Sequence, residues 1–312
     1  MRLAAWLAVL LLLPSWLGLA GGWSWLLDLC ANFRWQYLIG SAAIAAWALW
    51  RRRWPVAAAA ALTLLLNAAL IGRLAWHPEV GRAGLQPDFI LRVISLNVLT
   101  PNTHKRAVLD YLTAADADVI LLTEVDRRWL NALQPLQAKY PYRVEHPGFG
   151  NAGIALLSRV PWQTAGILRA GPTGLPSIEA GMSYRGRSFV LIGTHPLSPL
   201  SPRRAALRNR QLAWLAGHVM QLGQPALLTG DFNATPWSAG LRLATGGNLG
   251  FRSLQAPWRP TWEARSVLAI PIDQVLCTAP LVIVRRSVGP DVGSDHRPLE
   301  YSVGWGMEGR HD

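Results

Sequence analysis

Two stretches, Leu227-Leu228-Thr229-Gly230-Asp231-Phe232-Asn233 and Gly293-Ser294-Asp295-His296-Arg297-Pro298-Leu299, decide how this chain is read. The first carries an apolar run that reads as a buried strand, and it ends in Asp-x-Asn where apolar packing or a simple turn is expected. The second sets Asp-His before another such run, Pro298 to Val303. Along a strand, residues two apart point to the same face, so Asp231 and Asn233 are placed to reach one site together. The pattern predicts a hydrolytic centre that uses a metal ion and a histidine base.

Working outward, the same arrangement recurs. Asn97 ends Ile94-Ser95-Leu96-Asn97, Glu124 ends Val119-Ile120-Leu121-Leu122-Thr123-Glu124, and His195 ends Val190-Leu191-Ile192-Gly193-Thr194-His195. Asp273 opens Ile272-Asp273-Gln274-Val275-Leu276. Strand ends are where an open sheet builds a site. A lone Glu or His after a strand usually lies in a solvated loop, but six such positions in one order are hard to assign to chance. Between them, helical patterns are expected over His104 to Ala115, Arg127 to Lys139 and Pro202 to Leu222, the last with Pro at its start and Gly223 at its end. Further strands are expected at Phe89 to Val98, Ile154 to Ser158, Ser177 to Tyr184, Arg187 to Thr194, Ala226 to Thr229 and Leu281 to Ser287. Continuous apolar strands alternating with helices predict a layered α/β domain.

These motifs resemble the endonuclease/exonuclease/phosphatase superfamily, which includes DNase I, exonuclease III-like AP endonucleases, neutral sphingomyelinases and inositol-polyphosphate 5-phosphatases. The resemblance rests on Ser95-Leu96-Asn97, Leu122-Thr123-Glu124, Gly193-Thr194-His195, Gly230-Asp231-Phe232-Asn233, Ile272-Asp273-Gln274-Val275 and Ser294-Asp295-His296-Arg297-Pro298-Leu299. Weaker matches are Gly153 to Arg159 and Pro260-Thr261-Trp262. It covers about Leu91 to Val303.

The resemblance implies a two-sheet α/β sandwich, DNase I-like, and hydrolysis of a phosphoester with Mg²⁺ or Mn²⁺. Glu124 would be the principal metal ligand, with Asn97 and Asp295 beside the metal. His296 would act as base on water or stabilise charge on the phosphate, and Asp273 would orient it and favour its charged form. Asp231 and Asn233 would position the nucleophile and phosphate oxygens, and His195 would protonate the leaving oxygen. One departure weighs against a DNA-repair role: the AP-endonuclease branch often carries an acid two residues after the Asn, and here that residue is Leu99.

The N-terminal quarter differs in kind. Residues 1–76 hold one acid, Asp28, and three apolar runs, about 3–27, 35–50 and 56–76. A spanning helix takes roughly 20 apolar residues, and Trp35, Trp50, Trp54 and Trp76 at the run ends resemble an interfacial belt. Three transmembrane helices are therefore expected, with 77–88 as linker, 89–304 as the catalytic domain and 305–312 as tail. Arg51-Arg52-Arg53 is the dense basic cluster of this region, and positive residues stay cytoplasmic. That places the chain in the cell membrane with the catalytic domain on the extracytoplasmic side. A cleaved signal peptide is the alternative for the first run.

The net charge is +12. An Arg-rich surface suits anionic partners such as phospholipid headgroups, nucleic acid or small phosphorylated molecules, and it does not choose among them. Arg203, Arg204, Arg208 and Arg210 fall on more than one helical face and read as a solvated or headgroup-facing surface. Asn67 reads as helix packing, Asp116 and Asp118 as structural, and Cys30 and Cys277 as free thiols. Two other readings stand beside the enzyme: a secreted-side nuclease, and a membrane-tethered binding module with an unused site. Three spans with one central polar residue offer no transport pathway.

Overall fold

The computed structural model describes residues 2–75, 90–148, 152–246, 251–252 and 259–306. The expected linker lies outside them, as does most of the tail.

The strands form two six-stranded sheets. In chain order they are β1 (Ile90–Asn97), β2 (Val119–Thr123), β3 (Tyr142–His146), β4 (Ile154–Ser158), β5 (Trp162–Arg169), β6 (Pro176–Tyr184), β7 (Arg187–Thr194), β8 (Ala226–Asp231), β9 (Phe251–Arg252), β10 (Asp273–Thr278), β11 (Leu281–Val288) and β12 (Leu299–Trp305). One sheet runs β11-β12-β1-β2-β4-β3 and the other β5-β6-β7-β8-β10-β9. Each sheet has one parallel pair at its centre, β1 with β2 and β7 with β8. The expected α/β sandwich is therefore what the chain forms.

Burial explains why the central strands read as continuous apolar runs. Val93, Val119 and Leu121 of one sheet pack against Ile178, Leu191, Leu227 and Val275 of the other. The alternate residues point outward and are covered as well. Ile94, Leu96, Ile120 and Leu122 lie under Val108 and Leu112 of α5 (Lys105–Ala114) and Trp129 of α6 (Arg127–Ala132). Val190, Ile192 and Leu228 lie under Leu212, Leu215 and Val219 of α7 (Pro202–Leu222). A strand buried on both faces has no polar alternation to show. Gly193 is needed where the sheets meet, because a Cβ there would stand 2.3 Å from Leu121 Cδ1.

Two expectations are corrected within the domain. The helix expected over Arg127 to Lys139 stops at Ala132, and Gln134–Ala138 forms a 3₁₀ turn. Pro135 lacks an N–H and disfavours the helical conformation at Gln134, which accounts for the break. Strands β3 and β5 went unpredicted; both are edge strands with partly exposed faces, so neither carries a long apolar run.

The N-terminal runs need a larger correction. The first is α1 (Arg2–Leu17), a 3₁₀ turn over Gly18–Ala20 and then α2 (Trp25–Cys30). The second is α3 (Arg34–Trp50), of 17 residues. At 1.5 Å per residue such helices are roughly 25 Å long, short of a hydrocarbon core of about 30 Å. Among the described residues one helix, α4 (Trp54–Ala75), is long and apolar enough to cross a membrane, over Trp54–Leu74. One such helix stands where three were expected.

These helices pack on the sandwich. Trp25 Nε1 donates to the Pro199 carbonyl (2.7 Å), Thr235 Oγ1 to Asn32 Oδ1 (2.7 Å), and Gln36 Nε2 to the carbonyls of Val267 and Ala269. Ala31 and Ile71 form a small apolar cluster with Trp237. Inside the bundle Asn67 Nδ2 donates to Ser15 Oγ and the Thr63 carbonyl, so its role is packing, as expected. Both cysteines are free.

Candidate active site

The two central parallel pairs point their C-terminal ends to the same side of the sandwich, and the predicted residues meet there. Asn97 is the last residue of β1, Glu124 follows β2, His195 follows β7, and Asp231 ends β8 directly opposite Asp273, the first residue of β10. All five are buried. Asn97 Nδ2 donates to Glu124 Oε1 (3.0 Å) and to Asp231 Oδ2 (3.1 Å), so one amide joins the ends of the two sheets.

The backbone at these ends is bent to order. Glu124 has φ +63 and Asn233 φ +50, both left-handed, a region where a side chain is tolerated chiefly when the surroundings fix it. Thr100 does so for Glu124: its N–H donates to Glu124 Oε2 (3.3 Å) and its hydroxyl to the Glu124 carbonyl (2.8 Å). For Asn233, the backbone N–H donates to Asp231 Oδ1 (2.9 Å) and Nδ2 to the Pro196 carbonyl (3.0 Å). Gly230 permits the turn before them, with φ +141 and the Thr194 carbonyl 2.0 Å from where a Cβ would stand.

Asp231 lies at the centre of the charged groups. His195 Nε2 stands 3.3 Å and His296 Nε2 3.5 Å from its Oδ2, and His296 Nδ1 bonds Asp273 Oδ2 at 2.9 Å. Burial works against the charge on His296, but Asp273 and then Asp231 outweigh it and push the imidazole up to about 10. Burial also opposes charge on His195, and the hydrogen bond and charge of Asp231 still raise it. Burial alone would raise the Asp231 carboxyl; the imidazoles of His296 and His195 hold it well below the usual carboxylate range. Burial raises the Asp273 carboxyl.

Asp295 stands apart from Glu124 in its contacts. Its Oδ2 accepts from Trp262 Nε1 (3.1 Å), and its Oδ1 lies 3.4 Å from Ser294 Oγ, whose hydroxyl donates to the Asn97 carbonyl (2.7 Å). Thr261 Oγ1 accepts the Asp273 N–H (3.2 Å). The weakly matching Pro260-Thr261-Trp262 segment is thus part of the site's wall.

Two groups of residues compete as a cation site. Asp231, Asp273 and His296 offer ligand atoms that all lie within 4.8 Å of one another. Here, however, Asp273 and Asp231 already face the His296 imidazole at 2.9 and 3.5 Å, so much of their charge is met within the group. Glu124 fits better. Its carboxylate receives an amide N–H and a backbone N–H, which leaves lone pairs free, and a hard dication takes such oxygens. Asn97, expected beside the metal, meets Glu124 through Nδ2, while its Oδ1 accepts the Leu99 N–H (3.0 Å), so its part is to fix the carboxylate.

Arg208 belongs to the site although its sequence environment suggested a surface. Of the four grouped arginines, Arg203 and Arg210 are exposed and Arg204 is half-buried, whereas Arg208 is buried. Its Nη1 donates to the Asn233 carbonyl at 2.6 Å. The available signal was Asp28, a lone acid among apolar runs, which needs a buried cation and finds this one. By contrast, Asp116 and Asp118 are structural as expected: Asp118 Oδ2 accepts the Arg92 N–H, and Asp116 pairs with Arg159.

Comparison with known proteins agrees with the fold. The profile described as the Endonuclease/Exonuclease/phosphatase family matches residues 94–296. No curated protein matches the chain by sequence. Among solved structures, D. rerio TDP2 complexed with single strand DNA product is similar at TM-score 0.60 and 19% identity, covering 70% of this chain and 100% of that one. The human Nocturnin catalytic domain with bound sulfate anion is similar at TM-score 0.58 and 20% identity, covering 71% and 95%. Staphylococcus aureus beta toxin is similar at TM-score 0.54 and 18% identity, covering 68% and 99%. At these identities the likeness is one of fold.

Proposed function

Because the chain belongs to the endonuclease/exonuclease/phosphatase family, whose members are typically metal-dependent phosphoester hydrolases, we propose that it hydrolyses a phosphoester with a divalent cation, Mg²⁺ or Mn²⁺, at the site between Glu124 and His296. The observation that carries this reading is the Asn97 amide, which bonds the Glu124 carboxylate of one sheet and the Asp231 carboxylate of the other. It sets an oxygen-donor group beside a pair of imidazoles.

Glu124, whose carboxylate the Asn97 amide fixes, would hold the cation. When bound, the cation would offset the phosphate's charge and stabilise the negative charge that grows in the transition state. Asp231, ionised and fixed through the Asn233 N–H, orients the attacking water and accepts the proton it sheds, which can pass to His195 Nε2, 3.3 Å away, after His195 has protonated the leaving oxygen. His195, raised by Asp231, holds a proton to give to the leaving oxygen. His296 was expected as the base, but an imidazole raised to about 10 already carries its proton at neutral pH. Its role in this reading is the other one foreseen, meeting charge on the phosphate, with Asp273 holding it in place.

The membrane location is part of the proposal. Its support is α4, together with large apolar side chains that stand exposed on α1, α3 and α4, among them Leu11, Ile39 and Leu65. Arg51-Arg52-Arg53 just before α4 supports an orientation with that end in the cytoplasm and the catalytic domain outside it. An anchored enzyme would meet a lipid or envelope phosphoester. A nucleic acid is the second reading, which the charge of +12 suits as it suits an anionic lipid.

The test is a hydrolysis screen with purified protein over phospholipids, DNA, RNA and soluble phosphoesters, with Mg²⁺ or Mn²⁺ and then with EDTA. Metal-dependent turnover that Glu124→Ala abolishes is expected. Turnover insensitive to both would overturn the mechanism. A nucleic acid substrate would show steep loss of binding with salt. A reporter fused after Val303 that is active only in the cytoplasm would reverse the orientation.

A further inference from the structure

Arg208 is buried in α7 with every nitrogen of its guanidinium engaged. Nε donates to Asn209 Oδ1 (2.9 Å), Nη1 to the Asn233 carbonyl (2.6 Å), and Nη2 to Asp28 Oδ2 (2.9 Å) and Ser238 Oγ (3.3 Å). Asp28 is equally well occupied, accepting also from Ser238 Oγ (3.0 Å) and the Ala239 N–H (2.6 Å). Asp28 lies in α2, outside the sandwich, yet it is the carboxylate that this guanidinium meets.

Buried ion pairs hold their geometry only when their remaining donors and acceptors are satisfied, as here. Removing one partner leaves an uncompensated buried charge, so each group fixes the other. The Asn233 carbonyl is fixed along with them. Asn233 is in the left-handed region at φ +50, and its N–H is the donor that holds Asp231 Oδ1. Asp231 in turn meets Asn97, His195 and His296. The bonds therefore run without a gap from α2 to the centre of the site.

We propose that Asp28, acting through Arg208, is a positioning residue for the Asn233 turn, which makes the N-terminal helices a working part of the active site as well as a tether. The inference rests on the catalytic reading of Asp231 and Asn233 and adds to it a residue that lies outside the span matched by the family profile. Neither Asp28 nor Arg208 meets substrate in this proposal. Their effect is on where Asp231 holds water, so they act on turnover more than on binding.

The experiment uses the full chain in detergent, with Asp28→Asn and Arg208→Gln separately and together. Turnover is followed on bis(p-nitrophenyl) phosphate with Mg²⁺, and amide hydrogen exchange is followed in residues 231–235 and 154–158. Asp28→Asn is nearly isosteric and keeps the test available if Arg208→Gln fails to fold. The expected result is a kcat lowered about 10- to 100-fold with KM nearly unchanged, as for other supporting-shell residues. The double variant should be no slower than Arg208→Gln alone, since both act through one link. Exchange should quicken in residues 231–235 and stay slow in β4; a merely structural role would quicken both. Wild-type turnover and wild-type protection of residues 231–235 in both single variants would overturn the proposal. If the wild type hydrolyses no phosphoester, the catalytic reading falls, and the exchange pattern still decides whether α2 holds the Asn233 turn.

Discussion

The two ends of the site come from one device and are furnished differently. In one sheet the parallel pair β1 and β2 ends in Asn97 and Glu124; in the other the parallel pair β7 and β8 ends in His195 and Asp231. The first end carries only oxygen and amide groups, and Glu124 is incompletely bonded. The second end is closed on itself, with Asp231 and Asp273 already facing His296. A carboxylate with lone pairs to spare can take a dication, whereas a carboxylate neutralised by an imidazolium has little left to offer one. The comparison assigns metal affinity to the oxygen end and proton and charge handling to the imidazole end.

The strongest attempt to break that division is Glu124→Ala. Loss of metal-dependent turnover by about 10³-fold or more is expected, on the scale of removing a principal electrostatic contributor. Calorimetric titration with Mn²⁺ should lose its heat as well. If Mn²⁺ binding survives Glu124→Ala and disappears in Asp273→Asn, the cation belongs to the Asp231–Asp273–His296 group and the division is wrong.

The imidazole end is tested by pH. His296 is raised from an ordinary 6.5 to about 10 by Asp273 and Asp231. A group raised on folding stabilises the native state fully below its unfolded value, and that contribution is lost as pH rises through the folded one. The window is therefore about 6.5 to 10. In metal-free protein, the melting temperature of wild type should fall toward that of His296→Gln as pH climbs across the window. Turnover should drop at its alkaline end. An NMR titration of the His296 ring with a midpoint near 6.5 would remove the imidazolium from the mechanism. Asp273→Asn should shift the alkaline limb to lower pH and lower kcat about 10- to 100-fold.

The ease with which these residues could be seen in the sequence has a physical cause. Asn97, Glu124, His195, Asp231 and Asp273 each adjoin a strand buried on both faces, so a polar side chain interrupts an apolar run and announces itself. Arg208 has no such background. It shares its helix with exposed arginines, and its carboxylate partner is 180 residues away in the chain. Asp28 was conspicuous as a lone acid, but nothing local indicates what it faces. The edge strands β3 and β5 bury too little to leave a pattern, and the helix break at Leu133 turns on one proline. The first apolar run reads as continuous because composition hardly changes where the chain turns at Gly18–Ala20.

Asp295 is where the comparison can be sharpened, because the two ends both have a claim on it. The family resemblance places it beside the metal, with Glu124. Its observed partners are Trp262 Nε1 and Ser294 Oγ, and its charge helps to raise His296, which argues for the imidazole end. Trp262→Phe removes the indole donor at 3.1 Å while keeping an aromatic ring in the wall. A hydrogen bond to a charged group is worth about 1.5–3 kcal/mol, and Asp295 keeps its contact with Ser294, so the low end, a loss of roughly 10-fold in turnover, is expected as the smallest effect of the set. The way the loss can be relieved tells the two roles apart. If Asp295 serves the oxygen end, raising Mg²⁺ restores turnover and the alkaline limb stays where it is. If it serves the imidazole end, Mg²⁺ does not help, and a carboxylate freed from Trp262 and able to move away from His296 lowers the alkaline limb. The contacts of Asp295 favour the second outcome.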